Sequence, residues 1–248
     1  MNEKVLYAEL NPQEFRERLS KAPIAYLPLG TLEWHGRHMP LGADGLISQG
    51  FFIQLAHKVG GIVLPMFFLG PDDIEQHEGR PYYGMDILSY PKNIPQQLDG
   101  SAYWVSEEFF RQILKGTLVQ LKRAGFKIVV AHGHGPSTML FKKHIVNWKE
   151  EFKLELFTCW KQGEPPRIGL QTDHAAANET SLMMALRPEL VNLENLPKIL
   201  SDKPLGLLGR DPRKHASSET GRNILNMQIN NMAKLLKEQL ELTNLSNL

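Results

Sequence analysis

Four short apolar runs, separated by stretches with helical apolar spacing, constrain this chain more than any other feature. IAYLPL (24–29), IVLPMFFL (62–69), FKIVVA (126–131) and LELFTCW (154–160) read as buried strands. Between the first two, Leu46, Ile47, Phe51, Leu55 and Val59 recur at helical spacing, and Gly60-Gly61 ends that helix. Ser106 caps a helix that carries Phe110, Ile113, Leu114 and Leu121 on one face as far as Ala124. Another helix is predicted from about Met139 to Phe152. Asn11-Pro12-Gln13-Glu14 is a helix start, with a cap, a first-turn proline and a glutamate three residues on. Helices are also expected over Glu179–Leu186, before Pro188, and from about Thr220 to Leu242. Strands alternating with amphipathic helices imply βαβ units. The expected fold is three-layer α/β/α with a mostly parallel central sheet, built as a single domain over residues 1–248.

Several function classes are disfavoured. Net charge is +1 and no basic cluster is interleaved with aromatics, so neither nucleic acid nor an anionic membrane is expected as partner. The longest apolar run, GIVLPMFFLG, is too short to span a bilayer and contains a proline. The start, MNEKVLYAEL, lacks the apolar stretch of a cleaved signal. The single cysteine, Cys159, excludes an internal disulfide and a thiolate zinc cluster within one chain, and fits a cytoplasmic location.

In a parallel sheet, ligands bind outside the carboxyl ends of the strands. Three histidine-rich segments fall there: TLEWHGRHMPLGAD after the first run, HGHG after the third and QTDHAAANET after the fourth. Glu33 and His35, two apart in an extended segment, face one side and could reach neighbouring metals. Asp44 lies at the mouth of the next helix; it reads either as an N-cap or as an acid bridging two metals. His134, between two glycines, suits a ligand, as against a loop histidine in water. His132 faces the opposite way if the strand continues. Glu179 reads as a further donor or as a first-turn acid favoured by the helix dipole. His174, beside Asp173, suits a general acid/base, or is a surface loop histidine. Glu33, Asp44, Glu179 and a shared hydroxide would balance two divalent cations, leaving His35 and His134 neutral as ligands. Mixed oxygen and nitrogen donors suit Zn, Mn or Fe rather than Ca.

The motifs LPLGTLEWHGRHMPLGAD, GPDDIEQHEGRPYYGMDI, RAGFKIVVAHGHGPS, DHAAANETSLMMALRPELV and GRDPRKHASSETGRNIL, in that order, resemble those of the creatininase (creatinine amidohydrolase) family. The resemblance covers nearly the whole chain. It implies a metal-dependent amidohydrolase with two divalent ions, Zn and/or Mn, with Fe as a further candidate. It makes Glu33, His35, Asp44 and His134 metal ligands, with Asp44 bridging, and His174 the catalytic histidine. Creatininase itself has an acid two residues after the third-motif histidine. Pro136 stands there in this chain, so Glu179 is expected to supply the missing donor and to belong to the catalytic set. The resemblance puts His77 on the substrate side, and Tyr83, Trp104 and Asp173 are expected to bind substrate with it. It also implies a small-molecule substrate and a homo-oligomer, a hexamer.

Departures from the family pattern fall on the ligand side. His132 replaces an asparagine, Gly135-Pro136-Ser137 replaces Gly-Gly-Asn, and Met85 replaces a threonine. The loop from Ile87 to Val105 is longer than in typical relatives, and loops of that length are usually functional or disordered. A cyclic or other non-peptide amide is the default substrate. The alternative on the same metal site is a keto-cyclitol ring, for which polar groups at Asn93, Gln96, Gln97 and Asp99 would matter more than an aromatic clamp from Trp104. A rival of another class, motivated by Pro136 and Met85, is a catalytically inactive binding protein.

Overall fold

The computed structural model describes residues 3–88, 94–159 and 169–245. In chain order its main elements are α1 (Pro12–Lys21), β1 (Ile24–Leu29), α2 (Ala43–Val59), β2 (Ile62–Val63), β3 (Ile74–His77), β4 (Arg80–Tyr83), α3 (Met85–Leu88), α4 (Glu107–Ala124), β5 (Ile128–Gly133), α5 (Gly135–Phe152), β6 (Glu155–Thr158), α6 (Ala177–Leu186), α7 (Pro212–His215) and α8 (Ser218–Leu245). Strands β2, β1, β5 and β6 lie side by side in that order, all parallel. A separate antiparallel hairpin pairs β3 with β4.

Strand alternation divides the interior into two cores. Ile24 and Tyr26 of β1 and Ile128 and Val130 of β5 join side chains of α2, α6 and α8 on one face. Ala25, Leu27, Leu29, Val129 and Ala131 join α4 and α5 on the other. This is the three-layer α/β/α arrangement expected. Helix α4 shows why the layers adhere. Ser106 accepts a hydrogen bond from the Phe109 N–H at its start, and Phe110, Leu114, Leu118 and Leu121 form a buried stripe at helical spacing. Each such side chain contributes about 1.5–3 kcal/mol of burial. Among the described residues no helix is long and apolar enough to cross a membrane.

Several boundaries differ from those expected, each for a local reason. The strand expected over 62–69 is regular only at Ile62–Val63. Pro65 has no N–H to donate, yet the chain still follows β1, with Leu64 N–H bonded to Tyr26 O and Phe67 N–H to Pro28 O. The third strand sits two residues later than read, so His132 lies inside it, fully buried. The helix expected from Met139 begins at Gly135, because Pro136 suits a first helical turn. The helix read from Leu46 begins at Ala43, and that read from Glu179 begins at Ala177. The fourth strand spans Glu155–Thr158; its expected end at Trp160 lies outside the described residues. Part of the stretch expected as one loop is ordered: α3 covers its start, and Asp86 accepts hydrogen bonds from the N–H groups of Gln96, through its carbonyl, and Leu98, through its side chain.

The register decides where the chemistry falls. Ile24 pairs with Ile128 and the ladder runs to Leu29 opposite Gly133. The two central strands therefore end side by side, and the segments after them leave the sheet together.

Candidate metal centre

Each donor reaches this edge through a backbone device. Adding a Cβ to Gly133, whose φ is +150°, would overlap the Leu29 carbonyl oxygen. That closeness lets the His134 N–H donate to Leu29 O at 2.7 Å and fixes where its side chain begins. Asp44 is not the N-cap of α2. Gly42 holds that position, and Asp44 sits in the first turn with its carboxylate turned to the strand ends. Glu179 sits in the first turn of α6, which Asp173 anchors by accepting the N–H groups of Asn178 and Glu179 at 2.8 and 3.1 Å.

The geometry is organised around Asp44. Its Oδ2 lies 3.1 Å from His134 Nδ1, which is also 3.1 Å from Glu33 Oε1. Its Oδ1 lies 3.4 Å from His35 Nε2, which is 3.7 Å from Glu179 Oε2. Two triads result, Glu33–Asp44–His134 and His35–Asp44–Glu179, each with ligand atoms within 4.8 Å of one another. Three protein donors is the usual number for a catalytic metal site. The histidine tautomers agree with such use. His35 Nδ1–H donates to the Glu33 carbonyl at 3.2 Å, so Nε2, which faces the carboxylates, is the nitrogen a metal would take. A third grouping, Glu33–His35–His174, overlaps the first two.

Electrostatics point the same way. Glu33, Asp44 and Glu179 are 2%, 4% and 3% exposed. Among the described residues lining the adjoining cavity of about 740 Å³ there is no lysine or arginine. Buried carboxylates need cationic partners. Burial opposes charge on His35, but Asp44, Glu33 and Glu179 outweigh it and drive the imidazole up to about 10. Burial likewise opposes charge on His134, and Glu33, Asp44 and Asp72 overcome it and raise its pKa well above the ordinary value. Burial would raise Asp44, yet the two imidazoles hold its carboxyl well below the usual range. Glu33 is raised by burial, and Glu179 is raised well above the usual range by burial and the neighbouring Asp44. The donor set attracts positive charge to its centre, and divalent cations would displace protons from both histidines. The residues present therefore fit a pair of transition-metal ions.

His174 stands over this set. Its ring lies 4.4 Å from that of His35, and its Nδ1 lies 3.9 Å from Glu33 Oε1. Its Nε2 lies 2.7 Å from the Trp34 carbonyl oxygen, which can only accept, so Nε2 carries the proton and Nδ1 is bare. Burial, then the charge of His35, pushes its pKa down to about 3.

The structure brings Glu33, His35, Asp44, His134, His174 and Glu179 together, and Asp173 joins them on the cavity wall with its carboxylate engaged by the α6 backbone. Tyr83 and Trp104 stack on each other with centroids 6.3 Å apart, and the Trp104 ring lies 5.9 Å from that of His134. His77 is on the hairpin, near Glu78 and Tyr82. Those three are not among the described residues lining the cavity, nor are Gln96, Gln97 and Asp99; Asn93 lies outside the described residues. Pro136 does line it.

Two residues that sequence reasoning passed over complete the surroundings. Gln171 donates from Nε2 to Asp44 Oδ1 at 2.7 Å, while its Oε1 accepts from Ser48 Oγ at 3.1 Å. Asp72 Oδ2 lies 3.2 Å from His134 Nε2. The GPDD segment had placed Asp72 in a motif, without giving it a partner.

Comparison with known proteins gives a consistent result. The model of the creatininase family, described as creatinine amidohydrolase, matches residues 8–236. Creatinine amidohydrolase of Pseudomonas putida is 24% identical over 272 residues, covering 96% of this chain and 98% of that protein. The 3-dehydro-scyllo-inosose hydrolase of Thermotoga maritima is 24% identical over 205 residues, covering 77% of this chain and 58% of that protein. The crystal structure of a creatinine amidohydrolase (creatininase) superposes with a TM-score of 0.72 at 22% identity, covering 96% and 98% of the two chains. Creatininase structures described as Zn-Zn and Mn forms give TM-scores of 0.69 and 0.70.

Proposed function

This chain belongs to the creatininase family, and from that premise we propose that it is a binuclear metal-dependent amidohydrolase acting on a cyclic or other non-peptide amide. The observation that carries the reading is Asp44, one oxygen of which faces each donor triad. Glu33 and His134 would hold one ion, His35 and Glu179 the other, with Asp44 shared. Mixed nitrogen and oxygen donors favour Zn or Mn, with Fe as a further candidate. When bound, such a pair polarises a carbonyl and makes water a nucleophile at neutral pH. The chain's own residues supply the rest. Glu33, Asp44 and Glu179 would balance the charge of the cations. His174, held by the Trp34 carbonyl through its Nε2–H, turns a bare Nδ1 toward the donors, where it would accept a proton from the attacking water and pass it to the leaving group. Ile74, Met85, Ile87 and Leu88 line the same cavity as the carboxylates, which suits a small substrate with an apolar side. On this reading Asp173, on the cavity wall, lies on the substrate side, and His77, Tyr83 and Trp104 act there only indirectly, by shaping the elements around the cavity.

The test is a hydrolysis screen of the Zn- and Mn-reconstituted protein against creatinine and other cyclic amides, formamides and keto-cyclitols. Turnover of a cyclic amide supports the reading. Turnover confined to keto-cyclitols would favour the second reading, which the Thermotoga relative motivates. No turnover in a metal-loaded protein would leave the binding-protein alternative standing. The proposal further comprises one domain over the whole chain, a cytoplasmic location and a homo-oligomer, a hexamer. A monomer in light scattering at micromolar concentration would contradict the last.

A further inference from the structure

His134 has two ring nitrogens, and both meet carboxylates. Nδ1 faces Glu33 and Asp44, each at 3.1 Å. Nε2 faces Asp72 Oδ2 at 3.2 Å, on the side away from the donor triad. If Nδ1 is to bind an ion it must be bare, so the proton resides on Nε2, 3.2 Å from Asp72 Oδ2 but not in hydrogen-bond alignment with it in the metal-free chain. We infer that Asp72 is a positioning residue: with an ion on Nδ1 it accepts the His134 Nε2–H, fixes the ring's tautomer and rotation, and strengthens Nδ1 as a donor. The inference rests on the metal-dependent reading above and deepens it.

The surroundings are built for this contact. The Asp72 side chain is 8% exposed in its pairing with His134. Its other oxygen, Oδ1, accepts the Asp73 N–H at 2.8 Å, which sets the rotamer. Gly84 lies against the carboxylate at φ +50°, and a Cβ there would collide with Asp72 Oδ2. Trp104 closes another side of the His134 ring. The ring is thus flanked by a carboxylate and an indole that contribute no donor atom to either triad. A carboxylate behind a metal-binding histidine raises its basicity, and losing such a partner typically costs 10–100-fold in metal affinity.

The experiment titrates metal-free parent, Asp72→Ala and Asp72→Asn with zinc in a competing chromophoric chelator, and repeats the titration with cobalt(II), reading the visible bands of each site. In Asp72→Ala, one of the two sites should weaken 10–100-fold while the other keeps the parent affinity. In Asp72→Asn, whose amide oxygen still accepts, the loss should be several-fold, a partial rescue that a purely structural role would not show. The metal-free melting temperatures should agree between parent and Asp72→Asn. Parent affinity at both sites of Asp72→Ala would overturn the inference, as would equal weakening of both sites with a lowered metal-free melting temperature. If Asp72→Ala does not fold, Asp72→Asn decides, and unchanged affinity there overturns it. A parent that binds fewer than two ions would instead overturn the binuclear reading itself.

Discussion

Replacing Glu179 by glutamine separates a metal ligand from a structural acid. In the folded chain Glu179 is 3% exposed, and its Oε2 accepts the Ala175 N–H at 2.7 Å. Glutamine keeps that bond through its amide oxygen. Burial and the neighbouring Asp44 raise the pKa of the Glu179 carboxyl well above the usual range, so the fold already disfavours charge there and a neutral amide of the same shape removes little. The metal-free variant should therefore match the parent's stability to within about 1 kcal/mol. Metal binding should respond differently. A four-ligand structural zinc site is worth about 10–16 kcal/mol, so one donor is worth about 3 kcal/mol, a factor of ~10² in affinity. Without Glu179, the His35 site retains only His35 and the shared Asp44. Equilibrium dialysis against buffered zinc, read by elemental analysis, should find two ions per chain in the parent and one in Glu179→Gln, the second returning at ~100-fold higher free zinc. Glu219, exposed at the start of α8, is the control, and Glu219→Gln should change nothing. Two ions held by Glu179→Gln at the parent's zinc concentration would refute the reasoning and direct attention to His174, which clusters with Glu33 and His35.

Three further outcomes follow from the same geometry. His174→Ala should keep both ions but lose ~10²–10⁴-fold in turnover; full activity in the metal-replete variant would remove His174 from the mechanism. Burial pushes the His38 imidazole down to about 4 from 6.5, and its Nε2 lies 2.9 Å from Thr180 Oγ1. A depressed folded-state pKa stabilises fully above 6.5 and is lost as pH falls toward 4, so denaturant titrations of metal-free protein at pH 7.5 and 5 should show the parent losing about 2 kcal/mol more than His38→Gln. Equal losses would contradict this. Gly133→Ala should destabilise by more than ~3 kcal/mol, since its Cβ would overlap the Leu29 carbonyl; an unchanged denaturation midpoint would contradict the close approach of β1 and β5.

How far the sequence could be read depended on whether a feature was local. The Asn11 capping box, strand β1, and α4 with its Ser106 cap are set by neighbouring residues, and all lie where spacing and capping rules put them. The hairpin β3–β4 was not foreseen. Its strands, IEQH and RPYY, are largely exposed and lack the apolar alternation that marks a half-buried strand. At the site, the motif residues were legible because Glu33, His35 and His134 follow strand ends directly. Asp44 carried two readings until the Gly42 cap and the two facing imidazoles were visible. Gln171 and Asp72 were not legible, since each acts on a residue far along the chain: Gln171 reaches Asp44 across 127 positions. Tyr83 and Trp104 gave an aromatic signal that did not reveal they would stack on one another.

The central claim is a pair of cations that share Asp44. A crystal of the zinc-reconstituted protein, measured at the zinc absorption edge, tests it directly. The account predicts two anomalous peaks roughly 3.5–4 Å apart, one beside His134 Nδ1 and Glu33, the other beside His35 Nε2 and Glu179, with an Asp44 oxygen on each. A single peak, or two peaks of which Asp44 touches only one, would contradict it.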